Sequence, residues 1–291
     1  MSDRSTARET VSQEGGRLTR RRWLIGCGGL AAAGVVAGVA CNDRWDLQTS
    51  RIEVLLKGLG KELDGFTIAH LTDLHRGRYV PASFIDRAVQ AANGTQPDLV
   101  VLTGDYITHS TQFMRSCAEP LAKLQAPYGR LAVLGNHDYW TDADEVTREL
   151  TDTSGLQVLK NESVLIFNGE AALAVAGLDD PVTGHDDFDA AFGRIEADIP
   201  VVLLAHQPDI IEEAARRKAA LVLAGHTHGG QVVIPGFGPP VANSRYGRRF
   251  VAGLKHLGDT AIYTSRGVGM AVLPVRLNCP PEVALITLRS A

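Results

Sequence analysis

The sequence predicts an α/β domain with a mixed sheet or two stacked sheets. Three observations carry this expectation. Short apolar runs such as Asp98–Leu102 and Ile199–Ala205 alternate with helical patterns early in the chain. Strand-like runs dominate later, closing with Pro281–Leu288. The 291 residues are 45% hydrophobic and 21% charged, ordinary globular composition for one large domain or two small ones.

Residues 42–51 show no clear period and read as a tether, and Ile52–Leu56 reads as the first strand. Phe66–Leu71 is a second strand, and Pro81 opens a helix to about Ala92. Asp98–Leu102 is a strand, followed by a helix over roughly Gln112–Leu124 that Pro120 bends or breaks. Gly129–Leu134 is a strand, and Asp142–Asp152 a helix capped by Thr141. Val164–Ile166 and Ala172–Ala176 form a hairpin, and Phe188–Ala197 is helical. Strand Ile199–Ala205, helix Ile210–Lys218 and strand Ala220–Ala224 come next. Gln231–Pro235, Arg245–Gly253 and Ala261–Ser265 read as extended. No repeat or internal linker interrupts residues 52–288, so residues 52–291 read as one catalytic domain.

Charge is unevenly placed. Of 29 basic and 33 acidic residues, residues 1–40 hold six and three, which leaves a net −7 on the rest. A mildly acidic body argues against a nucleic-acid-binding surface. Four cysteines, with Cys117 and Cys279 far apart, make no disulfide framework.

Residues 1–41 read as an address. Thr19-Arg20-Arg21-Arg22-Trp23-Leu24 precedes a Gly/Ala-rich apolar run from Trp23 to Ala40. The pattern resembles a bacterial twin-arginine export signal, with Trp23 where Phe is usual and Ile25 where Lys is common. It implies passage through the twin-arginine translocase to the outer face of the cytoplasmic membrane or the periplasm. The run is about the ~18 residues needed to span a bilayer, so it could also remain as a membrane anchor. Gly38-Val39-Ala40 offers a cleavage site, and Cys41 a third reading, lipid attachment, although Gly38 stands where a lipobox would have Leu.

The informative regularity is where polar residues fall. Asp73 and His75, Asp105, Asn136 and His137, His206, and His226 and His228 each come within a few residues after an apolar strand. Functional groups in α/β sheets gather beyond the carboxyl ends of strands. Five of the nine histidines occupy these places. In Gly225-His226-Thr227-His228 the two imidazoles are two residues apart, so extended backbone directs both to one side. Carboxylates, an amide oxygen and imidazoles together suit Zn, Fe or Mn, in numbers beyond what one ion uses.

Asp73-x-His75, Gly104-Asp105, Gly135-Asn136-His137-Asp138, His206 and Gly225-His226-Thr227-His228 resemble, in order, the five signature blocks of the calcineurin-like metallophosphoesterases, and are closest to their twin-arginine-exported bacterial branch. The resemblance covers about residues 52–288. It implies two facing mixed β-sheets flanked by helices, a four-layer sandwich, and two divalent metal ions (Mn, Zn or Fe). It assigns Asp73, His75 and His228 to a first metal, and Asn136, His206 and His226 to a second. Asp105 would bridge the two. His137 would face the substrate without binding metal, and Asp138 would orient it. The implied reaction is hydrolysis of a phosphate ester by a metal-bridging hydroxide. A non-catalytic metal-binding scaffold of the same fold is the alternative, disfavoured because all seven ligand positions are filled.

Departures narrow the class. Protein phosphatases of the group continue after Gly-Asp with Val-Asp-Arg-Gly, whereas this chain has Tyr106-Ile107-Thr108-His109. Purple acid phosphatases place a tyrosine where this chain has Thr108. Phosphodiesters or diphosphates are the implied substrates, including cell-envelope components or lipid-linked diphosphates. Among lesser residues, His70 reads as a packed histidine, His109 as a loop surface residue, and His185 and His256 as solvated loop residues. Asp179-Asp180 read as turn-forming or as supports to the site. Arg245, Arg248, Arg249, Arg266 and Arg276 read as solvated, or as candidates for phosphate contact.

Overall fold

The computed structural model describes residues 43–291. Residues 1–41, with their signal or anchor pattern, lie outside them, and so do Cys27 and Cys41. Twelve strands, β1 (Gln48–Leu56), β2 (Thr67–Leu71), β3 (Leu99–Thr103), β4 (Arg130–Val133), β5 (Gln157–Val158), β6 (Glu162–Asn168), β7 (Ala171–Gly177), β8 (Val201–Leu204), β9 (Leu221–Ala224), β10 (Gly253–Leu257), β11 (Thr260–Thr264) and β12 (Glu282–Ser290), form two six-stranded sheets. The first has order β1-β12-β2-β3-β4-β5 and the second β10-β11-β9-β8-β7-β6. Both are mixed. In the first, β2 to β5 run parallel and β12 is antiparallel to β2. In the second, β11, β9, β8 and β7 run parallel, and β10 and β6 are antiparallel edges.

Six helices complete the described residues: α1 (Ala82–Gly94), α2 (Met114–Leu121), α3 (Asn136–Thr141), α4 (Ala143–Asp152), α5 (Phe188–Phe192) and α6 (Ile211–Arg216). All but α3 lie on the outer faces, and alternation along each strand shows how. In β3, Leu99 and Val101 face the second sheet with Val175, Val202 and Leu223. Val100 and Leu102 face α1 and α2 through Phe84, Ile85, Val89, Met114 and Leu121. In the second sheet, Leu203, Val222 and Ile262 face Phe188, Ile211 and Ala214 of α5 and α6. The result is a four-layer sandwich of helices, sheet, sheet and helices. Because both faces of the central strands are covered, their sequences are continuous apolar runs without alternation.

The layered expectation holds, with local corrections. β1 starts at Gln48, within the segment read as a tether, because its backbone pairs in parallel with β12 from Glu282 onward. Trp45 and Leu47 pack on the outer core, and Arg44 donates to the Pro274 carbonyl at 3.0 Å. The polar alternation of Gln48–Arg51 hid an edge strand. The cap of α4 is Asp142, whose Oδ1 accepts Glu145 N–H at 3.0 Å; Thr141 instead ends α3. Residues 245–250 form turns in place of a strand, and β10 begins at Gly253. The helix expected to reach Ala197 ends at Phe192.

Candidate metal centre

The carboxyl ends of β2, β3, β4, β8 and β9 point to one rim of the sandwich, and a loop leaves each there. Backbone hydrogen bonds lace these loops together. Asp73 N–H donates to Gly104 C=O at 3.0 Å, His75 N–H to Asp105 C=O at 2.9 Å, and Gly225 N–H to His206 C=O at 2.9 Å. The chain bends sharply as it leaves the strands, and five residues there take positive φ: Asp73 (53°), His75 (45°), Asp105 (58°), His226 (68°) and His228 (52°). Non-glycine residues rarely adopt that region, and such strain gathers where surrounding structure holds it for a purpose. Two glycines make room. A Cβ on Gly225 would run into Thr72 and the Asp73 carboxylate, and one on Gly135 into the Asp105 carboxylate.

All seven predicted ligand residues converge, and six of them are buried. His228 Nε2 lies 3.2 Å from Asp73 Oδ1, and His75 Nε2 lies 3.4 Å from Asp105 Oδ2. His206 Nε2 lies 3.1 Å from that same Asp105 oxygen. His75 Nε2 and His228 Nε2 are 3.0 Å apart, and His226 Nδ1 and His206 Nε2 are 3.3 Å apart. Three groups of three donors, each within 4.8 Å, result: Asp73 with His75 and His228, Asp105 with His206 and His226, and His75 with Asp105 and His137. Asp105 belongs to two of the groups, and so does His75. Asn136, at the start of α3, is buried beside them.

The far ring nitrogens set the tautomers. His206 Nδ1–H donates to Thr103 C=O at 2.7 Å, leaving Nε2 for the centre. Asn243 Nδ2–H donates to His226 Nε2 at 3.0 Å, so the neutral ring keeps its proton on Nδ1, which faces His206 Nε2 at 3.3 Å. Burial pushes the His75 imidazole down to about 3 and that of His226 to about 4, so both rings are neutral at pH 7. For His206 burial also disfavours the charged ring, but the Asp105 carboxylate, the Asp73 charge and the Thr103 carbonyl together outweigh it and push the value up to about 10. Burial raises Asp73 and Asp105, yet the surrounding imidazoles hold both below the usual carboxylate range. Two buried carboxylates thus demand positive charge at the point where the imidazoles converge. Divalent cations fit that donor set.

The remaining predicted residues divide. His137 lines the cleft above the centre; its backbone N–H donates to Asp105 Oδ1 at 2.9 Å, and its Nδ1–H to Thr108 C=O at 3.0 Å. Asp138 does not orient His137 through its side chain. Its carboxylate accepts N–H groups from Asp105 (2.8 Å), Tyr106 (2.9 Å) and Gly135 (2.9 Å), which clamps the β3 and β4 loops together. Burial and the Asp105 charge push this carboxyl up to about 8, against those amides. His70 is packed away, with Nε2 2.8 Å from Thr103 Oγ1. His109 sits beside His137, with ring centroids 5.7 Å apart. His185, read as solvated, stacks on Tyr139 at 4.1 Å, and His256 belongs to β10. Arg276 is fully buried and donates to the carbonyls of Arg266, Gly267, Gly269 and Cys279, so it is neither solvated nor free for phosphate. Cys117 and Cys279 are free and buried.

Sequence reasoning missed Gln207 and gave Asp180 little weight. Gln207 Nε2 donates to Asn136 Oδ1 at 3.1 Å and to Asp180 Oδ1 at 2.6 Å, which ties the Asn136 amide oxygen to the carboxylate beyond β7. The only signal was position: Gln207 is next to His206, and Asp180 lies just past the carboxyl end of β7.

Comparison with known proteins agrees. The family model for calcineurin-like phosphoesterases matches residues 66–230. The uncharacterized metallophosphoesterase YkuE of Bacillus subtilis (strain 168) is 32% identical over 284 residues, which covers 94% of this chain and 99% of that protein. The phosphodiesterase YaeI of Escherichia coli (strain K12) is 36% identical over 226 residues, 77% of this chain and 82% of that protein. A transmembrane protein with metallophosphoesterase domain from Danio rerio is 31% identical over 253 residues, 82% of this chain and 57% of that protein. With donors that suit divalent metals gathered at the rim of a two-sheet sandwich, and with these similarities, the chain belongs to the calcineurin-like phosphoesterase family, whose members are metal-dependent phosphoesterases.

Proposed function

We propose that this protein is an exported hydrolase of phosphodiesters or diphosphate bonds, working with two divalent cations. The observation that carries the reading is Asp105, whose Oδ2 lies within 3.4 Å of both His75 and His206 while its Oδ1 accepts the His137 amide. One carboxylate thereby joins two donor sets and a cleft-facing histidine. Asp73, His75 and His228 would hold one cation, Asn136, His206 and His226 the other, with Asp105 between them. Bound there, divalent cations lower the pKa of water and offset charge on phosphoryl oxygens.

The chain's own residues supply the rest. Asp73 and Asp105 provide the fixed negative charge that holds cations in place, and burial keeps that charge unscreened. His137, fixed through Nδ1 by the Thr108 carbonyl, turns Nε2 to the cleft, where it can carry a proton to the leaving oxygen. Asp138 keeps the β3 and β4 loops in register, so the Asp105 carboxylate and the His137 ring share one frame. Tyr106-Ile107-Thr108 after Asp105, without arginine or a tyrosine ligand, supports diester or diphosphate substrates over phosphoproteins. Similarity to the phosphodiesterase YaeI points the same way. Arg20-Arg21 and the apolar run to Ala40 support export through the twin-arginine translocase, with cleavage after Ala40 or retention as an anchor.

Hydrolysis of bis-p-nitrophenyl phosphate by the purified protein with added Mn tests the reading. Turnover that depends on the added metal is expected. Stoichiometric metal binding without turnover would instead identify a non-catalytic scaffold.

A further inference from the structure

The cleft over the candidate centre encloses about 950 Å³. Its floor is Asp105, Asn136, His137 and His228, and its walls are mostly apolar, with Trp140, Val182, Val241, Val272 and Leu273 outnumbering the polar His109, Gln231 and Asn243. These wall side chains are among the most exposed large apolar groups of the described residues, with Trp140 at 62%, Val241 at 67%, Val272 at 83% and Leu273 at 62%. Ile234 and Phe237, on the same loop as Val241, are exposed too. Scattered exposed apolar residues need no explanation, but a contiguous apolar surface around a polar floor marks a binding site.

The walls are built, not loose. Gln231, three residues after His228, accepts Ala271 N–H at Oε1 (2.8 Å) and donates to Ala271 C=O (3.0 Å). Val233 N–H donates to Leu277 C=O at 2.9 Å, and Leu277 N–H to Gln231 C=O at 2.8 Å. The loop that carries a candidate ligand therefore braces the loop that carries Val272 and Leu273. Charge selects the occupant. Among the described residues, Asp105 is the one acidic side chain lining the cleft, and no Lys or Arg lines it. The neighbouring Arg245 donates to the Asp209 carbonyl, and Arg248 to the Phe237 carbonyl. A polyanionic or sugar-rich substituent would find few polar partners on these walls, whereas an alkyl chain would leave water against them.

We infer that the substrate is an amphiphilic phosphoester whose alkyl or acyl chain lies along the Val241–Val272–Leu273 wall while its phosphoryl group sits on the polar floor. The inference rests on the proposed hydrolase function and narrows its substrate class.

The test is a homologous series of alkyl p-nitrophenyl phosphate diesters, from methyl to octyl, with the Mn-loaded protein below each ester's aggregation concentration. In every member water adds its oxygen to phosphorus, and the bond to p-nitrophenol breaks, leaving the monoalkyl phosphate. The kcat/KM is expected to climb with chain length, by up to about fourfold for each methylene that leaves water. The octyl-to-methyl ratio is expected to collapse toward one in a Val272→Asp, Leu273→Ser double variant and to fall in Val241→Asp. All three positions are exposed, and melting temperature checks that the variants fold. Hydrolysis of the methyl ester with no gain along the series overturns the inference and leaves the hydrolase reading standing. A phenyl ester that gains as much as octyl overturns it in favour of aromatic stacking on Trp140. A gain seen only above the aggregation concentration and kept by the double variant overturns it in favour of surface adsorption. No hydrolysis of any member removes both readings.

Discussion

The side-chain amide of Gln207 spans Asn136 and Asp180, with its Nε2 3.1 Å from Asn136 Oδ1 and 2.6 Å from Asp180 Oδ1. Asn136 Oδ1 keeps a second lone pair for a cation, and the relay fixes its direction. Gln207→Leu removes the relay and leaves Asn136 free to turn. Metal titration by calorimetry should show an affinity drop of about 10–100-fold at one of two sites, the usual cost of losing a support to a ligand. Unchanged affinity at both sites would show that Asn136 is not held this way.

Asp105→Asn keeps the shape of the shared residue but removes its charge. Metal content by elemental analysis and bis-p-nitrophenyl phosphate turnover should fall together, with turnover down by at least about 10²-fold. A variant that still binds two equivalents of metal would refute the bridging role.

His137→Ala separates catalysis from metal binding. Both equivalents of metal should remain while turnover drops roughly 10²–10⁴-fold, as for a lost general acid. Because His137 also lies within 4.8 Å of a donor group with His75 and Asp105, loss of one equivalent would reassign it as a ligand.

Gly225→Ala places a methyl where Thr72 and the Asp73 carboxylate already stand. Overpacking of this kind costs about 1–3 kcal/mol. The variant should fold with a lowered melting temperature and lose metal at the Asp73 site. Normal metal content would mean that the loop has room to retreat.

Glu282, 2% exposed, pairs with Arg266 at 2.6 Å and accepts from Ser50 and Tyr263. Burial alone would raise its carboxyl, but the Arg266 charge and amide with the Ser50 and Tyr263 hydroxyls together outweigh burial and hold it below the usual 4.5. A folded-state value below the unfolded one adds stability that is present above about pH 4.5 and lost as pH falls through the folded value. Melting curves should therefore show wild type above Glu282→Gln at pH 7, with the gap closing below pH 4.5. A gap constant with pH would show that the pair contributes no charge-dependent stability.

The apolar runs, and the polar residues at their carboxyl ends, were legible in the sequence. Asp73, Asp105, Asn136, His206 and His228 all stand just beyond buried strands, and one-dimensional order is enough to place them there. The segment Gln48–Arg51 was not legible, because its partner β12 is more than 200 residues away in the chain and its exposed face is polar. Thr141 and Asp142 are both good caps, and only the bond to Glu145 distinguishes them.

By itself the sequence determined which groups could meet: apolar runs bury on both faces, so their ends must carry the polar chemistry. Tertiary structure alone decided which atoms do meet. It put one Asp105 oxygen between His75 and His206, turned Asp138 toward three amides and away from His137, and drew in Gln207 and a buried Arg276. The reason is that hydrogen-bond partners across loops depend on the relative placement of strands from both sheets. No local pattern of residues encodes that placement.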